Sequence, residues 1–270
     1  MTLKLKLFFL ATLLVFISCS SSNDEIEMEK EVVIGNVSKL SYYFPGMSPT
    51  TEYMDPNYYF EYDAQNRVVR KNGGKIKLPK ETEYTEAFSN KAYTIVTYNG
   101  NLITTSAYIS NSNGEIFSGK KVFELDNQQR IAKCLVFIVE SIVEKELIYQ
   151  YQANKLVAIV TQYPNGDLNY KNVDRFTYYS DGNLKGIKTV TMQNNVDLVT
   201  RQEIEFSNYD KAPNPFKKLN IFDEHFHLSL SKNNPQKKIT LEYVGGELAS
   251  KQEVWWTNQY NADGTLKLFY

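Results

Sequence analysis

Histidine and cysteine are scarce in this sequence, two of each in 270 residues. Both histidines fall in Asp223-Glu224-His225-Phe226-His227. With no third histidine, the spacing matches no standard catalytic zinc pattern, and no metal site is expected. Charge of one sign is missing too. A formal net charge of −1 excludes a protein that works through a strong basic field, so no nucleic-acid partner is expected. A glycine-rich phosphate loop, a nucleophile elbow and a calcium loop are all lacking, and no cofactor is implied. The apolar run at residues 7–17 is shorter than the roughly 20 residues that carry a helix across a bilayer.

What the chain does have is aromatic residues, with 20 Tyr and 15 Phe. Such side chains suit the half-buried, pleated surface of strands, so composition points to an all-β protein. At 42% hydrophobic and 23% charged, a chain of this length can bury a real core.

The N-terminus carries a targeting pattern. Lys4 and Lys6 precede the apolar stretch, and Ser18 puts a small residue before Cys19. Phe16-Ile17-Ser18-Cys19 resembles the lipobox of bacterial lipoproteins. That resemblance implies cleavage after residue 18 and acylation of Cys19, which would hold the protein to a membrane through several acyl chains. Lys4 and Lys6 go with the leader, taking the formal charge from −1 to −3. Residues 19–31 then read as a flexible acidic tether and residues 32–270 as one β domain. Acidic residues this close to the lipidated cysteine resemble the surface-export signal of Bacteroidota lipoproteins, implying outward display on the outer membrane, with the periplasmic face as the alternative. Once Cys19 is acylated, Cys134 is the only thiol left, and no intramolecular disulfide can form.

Along the domain one pattern recurs: an aromatic strand, a short polar turn, then an apolar strand. Its clearest copy is Phe176-Thr177-Tyr178-Tyr179-Ser180-Asp181-Gly182-Asn183-Leu184. The last aromatic or Leu before each turn falls at 62, 98, 125, 151, 178, 206, 243 and 260, and four consecutive spacings are 27, 26, 27 and 28 residues. A fixed period of this size marks a repeated supersecondary unit, here one hairpin joined to the next. The expected fold is an antiparallel up-and-down meander, curled on itself or packed sandwich-like. Residues 131–139 are apolar on both faces, which predicts a central strand covered on both sides. Pro213 and Pro215 interrupt the pattern, and an inserted loop or short helix is expected near 213–235.

The copy Glu61-Tyr62-Asp63-Ala64-Gln65-Asn66-Arg67-Val68 resembles the YD repeats of Rhs-type proteins. Later copies depart from it, with Leu125 for Tyr and Tyr179 or Val244 where Asp would stand. Tyr209-Asp210-Lys211-Ala212-Pro213-Asn214-Pro215-Phe216 and Leu230-Ser231-Lys232-Asn233-Asn234-Pro235 resemble segments of uncharacterised Bacteroidota lipoproteins with similar repeats. That family implies a β-rich exported domain and brings no known activity.

No catalytic constellation is written in the sequence. Cys134 sits inside an apolar strand, where it acts as a small hydrophobe. Asp223 to His227 is expected to take a surface or capping role. Trp255, Trp256 and Tyr260 are the candidate ligand-binding residues, since flat amphipathic rings suit a sugar, although strand alternation puts Trp255 and Trp256 on opposite faces. The expectation is a non-enzymatic binding or scaffold module at the cell surface, with a glycan or another envelope protein as partner. The alternative is a hydrolase of polysaccharide or envelope polymer, whose paired carboxylates would leave little trace in sequence.

Overall fold

A computed structural model describes residues 35–42, 55–79, 84–139, 141–166 and 169–268; Cys19 and the tether lie outside them. The strands are β1 (Lys39–Ser41), β2 (Asn57–Tyr62), β3 (Val68–Pro79), β4 (Tyr84–Asn99), β5 (Leu102–Asn111), β6 (Gly114–Leu125) and β7 (Ile131–Val139). They continue with β8 (Ile142–Gln152), β9 (Lys155–Gln162), β10 (Tyr170–Tyr178), β11 (Leu184–Gln193), β12 (Val196–Ser207), β13 (Lys237–Val244) and β14 (Glu247–Trp255). Each pairs antiparallel with its neighbours in sequence, giving one open 14-stranded meander. The all-β hairpin meander read from the repeat is the fold. Between β12 and β13 stand a 3-10 turn at Pro215–Leu219 and one short helix, α1, at Asp223–Ser229.

The repeat turns share one construction. Asp63 Oδ1 accepts the backbone N–H groups of Gln65 and Arg67, and Asp126 Oδ1 those of Gln128 and Arg130. Asp181 and Asp263 accept Asn183 N–H and Thr265 N–H in the same way. Asn66, Gln129, Gly182 and Gly264 take positive φ in these turns, a conformation that Asn and Gly reach cheaply. The backbone donors hold Asp63 and Asp126 below the usual carboxylate range, with the N–H of Arg67 and of Arg130 contributing most.

The repeat tyrosines join one hairpin to the hairpin before it. Tyr98 donates its hydroxyl to Val68 O, Tyr151 to Ile131 O and Tyr178 to Leu156 O, at 2.9 to 3.0 Å. In each case the acceptor is the second residue after the preceding turn or close to it, and the residue before the acceptor lays its cation over the same ring. Arg67 lies 4.3 Å from the Tyr98 ring, Arg130 4.3 Å from Tyr151 and Lys155 5.4 Å from Tyr178. Where Phe206 replaces the tyrosine, Tyr209 three residues on supplies the bond, to Leu184 O. Burial pushes the Tyr151 and Tyr178 phenols up to about 12, so they remain hydrogen-bond donors at neutral pH.

Helix α1 shows how the sheet is curved. His225 meets Tyr58 and Phe60 of β2, Glu224 bonds Lys71 of β3, Phe226 meets Tyr149 of β8 and Phe176 of β10, and His227 meets Phe206 of β12. Seven helical residues are about 10 Å long. Ten strand steps in a flat sheet would cover roughly 48 Å. One short helix reaches β2 and β12 together only because the sheet curls around it. Phe216, Leu219, Ile221, Phe222 and Leu228 of the insertion are all buried against the concave face, each stabilising by about 1.5–3 kcal/mol. The expected capping segment is therefore an internal plug. Leu266 joins the same core, and Ser41 N–H donates to Leu268 O, tying the C-terminal stretch to β1.

Three expectations change. Strand β7 is central, but Ile138 and Val139 at its far end are exposed, because the single sheet rises past the plug and no second layer of the described residues covers it there. Ile131 joins Cys134 in the core, against simple alternation, because a bulge at Glu124/Leu125 shifts its register. The copy around Tyr243 is out of phase. The insertion replaces a turn at the plug end, so the β13–β14 turn lies at the opposite end, and Tyr243 donates to Glu203 instead of a backbone carbonyl. The in-phase copy is the last one, with its turn at residues 261–265.

Replacing Tyr151 with Phe leaves Ile131 O without its partner while the ring still packs. A loss of about 0.5–1.5 kcal/mol is expected, read as a lower urea midpoint with unchanged slope; an unaltered midpoint would remove the bond from the account of the repeat.

Candidate binding site

The plug is held in shape by side-chain amides. Asn214 caps the 3-10 turn by accepting Phe216 N–H, and its Nδ2 donates to Leu228 O and Ser231 O, closing the loop around α1. Asn233 N–H donates to Asn183 Oδ1, which fixes the plug to the β10–β11 turn. Asn234 Nδ2 donates to Asp210, whose Oδ2 also accepts from Asn258 and Tyr260. These asparagines belong to the two segments that read as family-like in the sequence, and their work here is to replace regular backbone pairing.

Charge sits at the N-terminal end of α1. Lys71 Nζ lies 2.7 Å from Glu224 Oε1, with side-chain exposures of only 6% and 22%, and the ammonium also faces the Tyr58 and Phe222 rings. Burial pushes Glu224 up, but Lys71 beside it and then His225 outweigh that and hold it at about 2. Lys121 pairs with Asp223. The two histidines are two residues apart on a helix, about 200° around its axis, so they point to opposite sides and do not converge on one ion. His225 is buried, and its Nε2 has no hydrogen-bond partner among the described residues. Burial lowers both imidazoles to about 4. Both are therefore neutral packing groups at pH 7, and the expected surface role gives way to an interior one.

Two cavities flank the plug. The upper one, about 490 Å³, lies between the N-terminus of α1 and the inner faces of β3 to β8. Its acids are Asp223 and Glu224, each matched by a lysine as above, and Glu144. The lower one, about 390 Å³, opens between the plug and the repeat turns. Tyr149, Tyr151, Tyr178 and Phe226 form its aromatic wall, and Gln129, Asn154 and Asn220 add carboxamides. Arg130, Lys155 and Lys217 line it as well, and no carboxylate does among the described residues. In the lower cavity the carboxamides of Gln129, Asn154 and Asn220 have no side-chain partner among the described residues, and its volume falls in the range of small-ligand sites.

No protein-family model matches the chain, and no curated protein matches it. Among solved structures, a porin-like protein from Bacteroides vulgatus ATCC 8482 aligns with a TM-score of 0.47 at 16% identity, over 86% of this chain and 90% of that one. A porin-like protein from Bacteroides uniformis ATCC 8492 aligns with a TM-score of 0.44 at 12% identity, over 78% and 79%. A likeness this distant identifies neither a family nor an activity.

The candidate residues read from the sequence lie apart from the cavities. Trp255 is 56% exposed at the end of the edge strand β14, with Lys237 4.1 Å from one face of its ring and its Nε1 donating to Glu253. Trp256 has its indole Nε1 buried without a hydrogen-bond partner among the described residues. Tyr260 donates to Asp210, and no ring contact joins these three residues. Cys134 is buried, and burial pushes its thiol up to about 12, which keeps it protonated and inert at neutral pH. Sequence reasoning missed the lower cavity because its wall is made of repeat positions and turn residues that local patterning already explains. The one available signal was a lysine or arginine after several turns together with Lys217 in the insertion.

The histidines predict a pH dependence. Their folded pKa values lie below the unfolded value, so the unfolded chain binds more protons between pH 6.5 and 4, and stability falls as pH falls through that window. For His225 the loss at pH 4.5 is about 2–3 kcal/mol. His225→Phe keeps the aromatic packing and removes the proton, so its urea midpoint is expected to drop less than wild type between pH 7.5 and 4.5. Identical pH profiles for the two proteins would show that His225 is not the titrating group.

Proposed function

We propose that the protein is a lipid-anchored envelope protein displayed at the cell surface, which binds a saccharide and catalyses no reaction. The observation that carries the binding reading is the lower cavity. Its tyrosine and phenylalanine wall supplies apolar contact, and Gln129, Asn154 and Asn220 offer carboxamides with no side-chain partner among the described residues. Carboxamides both donate and accept, which suits sugar hydroxyls. The curled sheet and its plug form the rigid frame that fixes these groups relative to one another. What supports the anchor is the lipobox-like Phe16-Ile17-Ser18-Cys19 with the acidic tether behind it; the membrane is then a partner through Cys19, and the outer membrane is the site of display.

A second reading rests on Trp255, whose exposed ring leaves one face open beside the edge strand. Glycan-array binding of the full chain separates the two. With the lower cavity as the site, Asn154→Leu/Asn220→Leu loses at least tenfold in affinity and Trp255→Ala/Trp256→Ala does not. The reverse ranking moves the site to the tryptophan edge, and binding to no glycan at all ends the saccharide reading.

Acylation is checked separately. Cys19→Ser is expected to abolish incorporation of a labelled fatty acid and to move the protein from the membrane to the soluble fraction. Continued labelling of that variant would place the acyl chain elsewhere.

A further inference from the structure

The charge around the lower cavity says more about its ligand than the cavity's shape does. Three cations line it, and they are not equivalent. The Arg130 guanidinium is already neutralised, donating from Nε to Asp126 Oδ2 at 2.8 Å and from Nη1 to Ala153 O at 3.1 Å. Lys155 and Lys217 have no carboxylate partner among the described residues. Their neighbour Lys218 has turned the other way, to Asn36. Each free lysine is placed by an ordered segment. Lys155 closes the β8–β9 turn, which Arg130 pins through Ala153 O, and its ammonium rests over Tyr178. Lys217 sits in the 3-10 turn capped by Asn214.

We propose that the ligand of this cavity is an acidic saccharide of one or two rings, whose carboxylate or sulfate group lies between Lys155 and Lys217. The proposal rests on the saccharide reading given above. Three features support it together. Among the described residues no carboxylate lines the wall, so none of them competes there for the two ammonium groups. The chain is slightly acidic as a whole, so the positive lining is a local arrangement and not the spill-over of a basic protein. The carboxamides and aromatic wall meet the hydroxyls and the apolar ring faces of the same ligand, with the charged group taken up by the lysines.

The test uses the full chain carrying Cys19→Ser, titrated with digalacturonate, with a singly sulfated galactobiose and with neutral galactobiose. Expected are at least tenfold tighter binding of an acidic ligand than of the neutral one, weakening as sodium chloride is raised, and loss of that preference in Lys155→Gln/Lys217→Gln. The glutamines keep hydrogen bonding and lie at exposed positions, and an unchanged melting temperature confirms that the variant is folded. Whichever acidic ligand binds tells carboxylate from sulfate. Equal affinity for acidic and neutral sugars, or an acid preference that survives in the double variant, overturns the charge inference and leaves the saccharide reading standing. Binding of inorganic sulfate or of anionic lipid vesicles with no binding of any sugar overturns both.

Discussion

A single antiparallel sheet has two faces and no second layer, and it needs something apolar against at least one of them. Here the insertion between β12 and β13 meets that need. It folds back onto the concave face and gives side chains from β2 to β12 a common surface to pack against. Curvature, core and plug thus arise together. Without the plug, Phe60, Phe123, Phe176 and Phe206 would line an open trough; without the curl, a helix of seven residues could not touch so many strands. The Lys71–Glu224 pair adds registration to this arrangement. Burying it contributes little net stability, but removing one partner would leave a charge stranded in the core.

The tyrosine bonds act at right angles to that constraint. Backbone pairing joins each strand to the next, and every antiparallel meander has it. The hydroxyl-to-carbonyl bonds, with a cation over each ring, add a second connection that skips from one hairpin to the hairpin before. They lie at the turn end, where regular strand pairing has run out and carbonyl groups would otherwise face solvent or go unpaired. The same end receives the plug, so the turns are fixed from two directions, and the cavity between turns and plug has walls that do not depend on flexible loops.

Much of the architecture was legible because local chemistry and tertiary position agreed. Asp63, Asp126 and Asp181 are where turn chemistry wants an acceptor, and they make the bonds that chemistry predicts. Tyr98, Tyr151 and Tyr178 recur at the period of the hairpins because each serves the one before. What could not be read was orientation. Tyr243 fits the pattern by sequence yet lies at the opposite end, since the long insertion takes the place of the plug-end turn and Tyr243 precedes the turn after it, at the far end. His225 and His227 look like surface or ligand groups in a list of residues, but the helix turns them apart, and the curled sheet buries His225 and packs Phe206 against His227. The lower cavity was invisible for a related reason: Lys155 and Lys217 are 62 positions apart, and only the return of the insertion onto the turns brings them to one opening.

The bond from each repeat tyrosine to the preceding turn also makes the sheet countable. Because donor, cation and acceptor are supplied by successive units, a whole period of about 27 residues can be added or removed between two such units and every surviving bond keeps a partner of the same kind. A change of any other length breaks the phase. The plug is exempt from that arithmetic and sets its limit, since a wider sheet would curl around the same few residues and leave space beside them. In this architecture the width of the binding site and the number of repeats are a single inherited quantity.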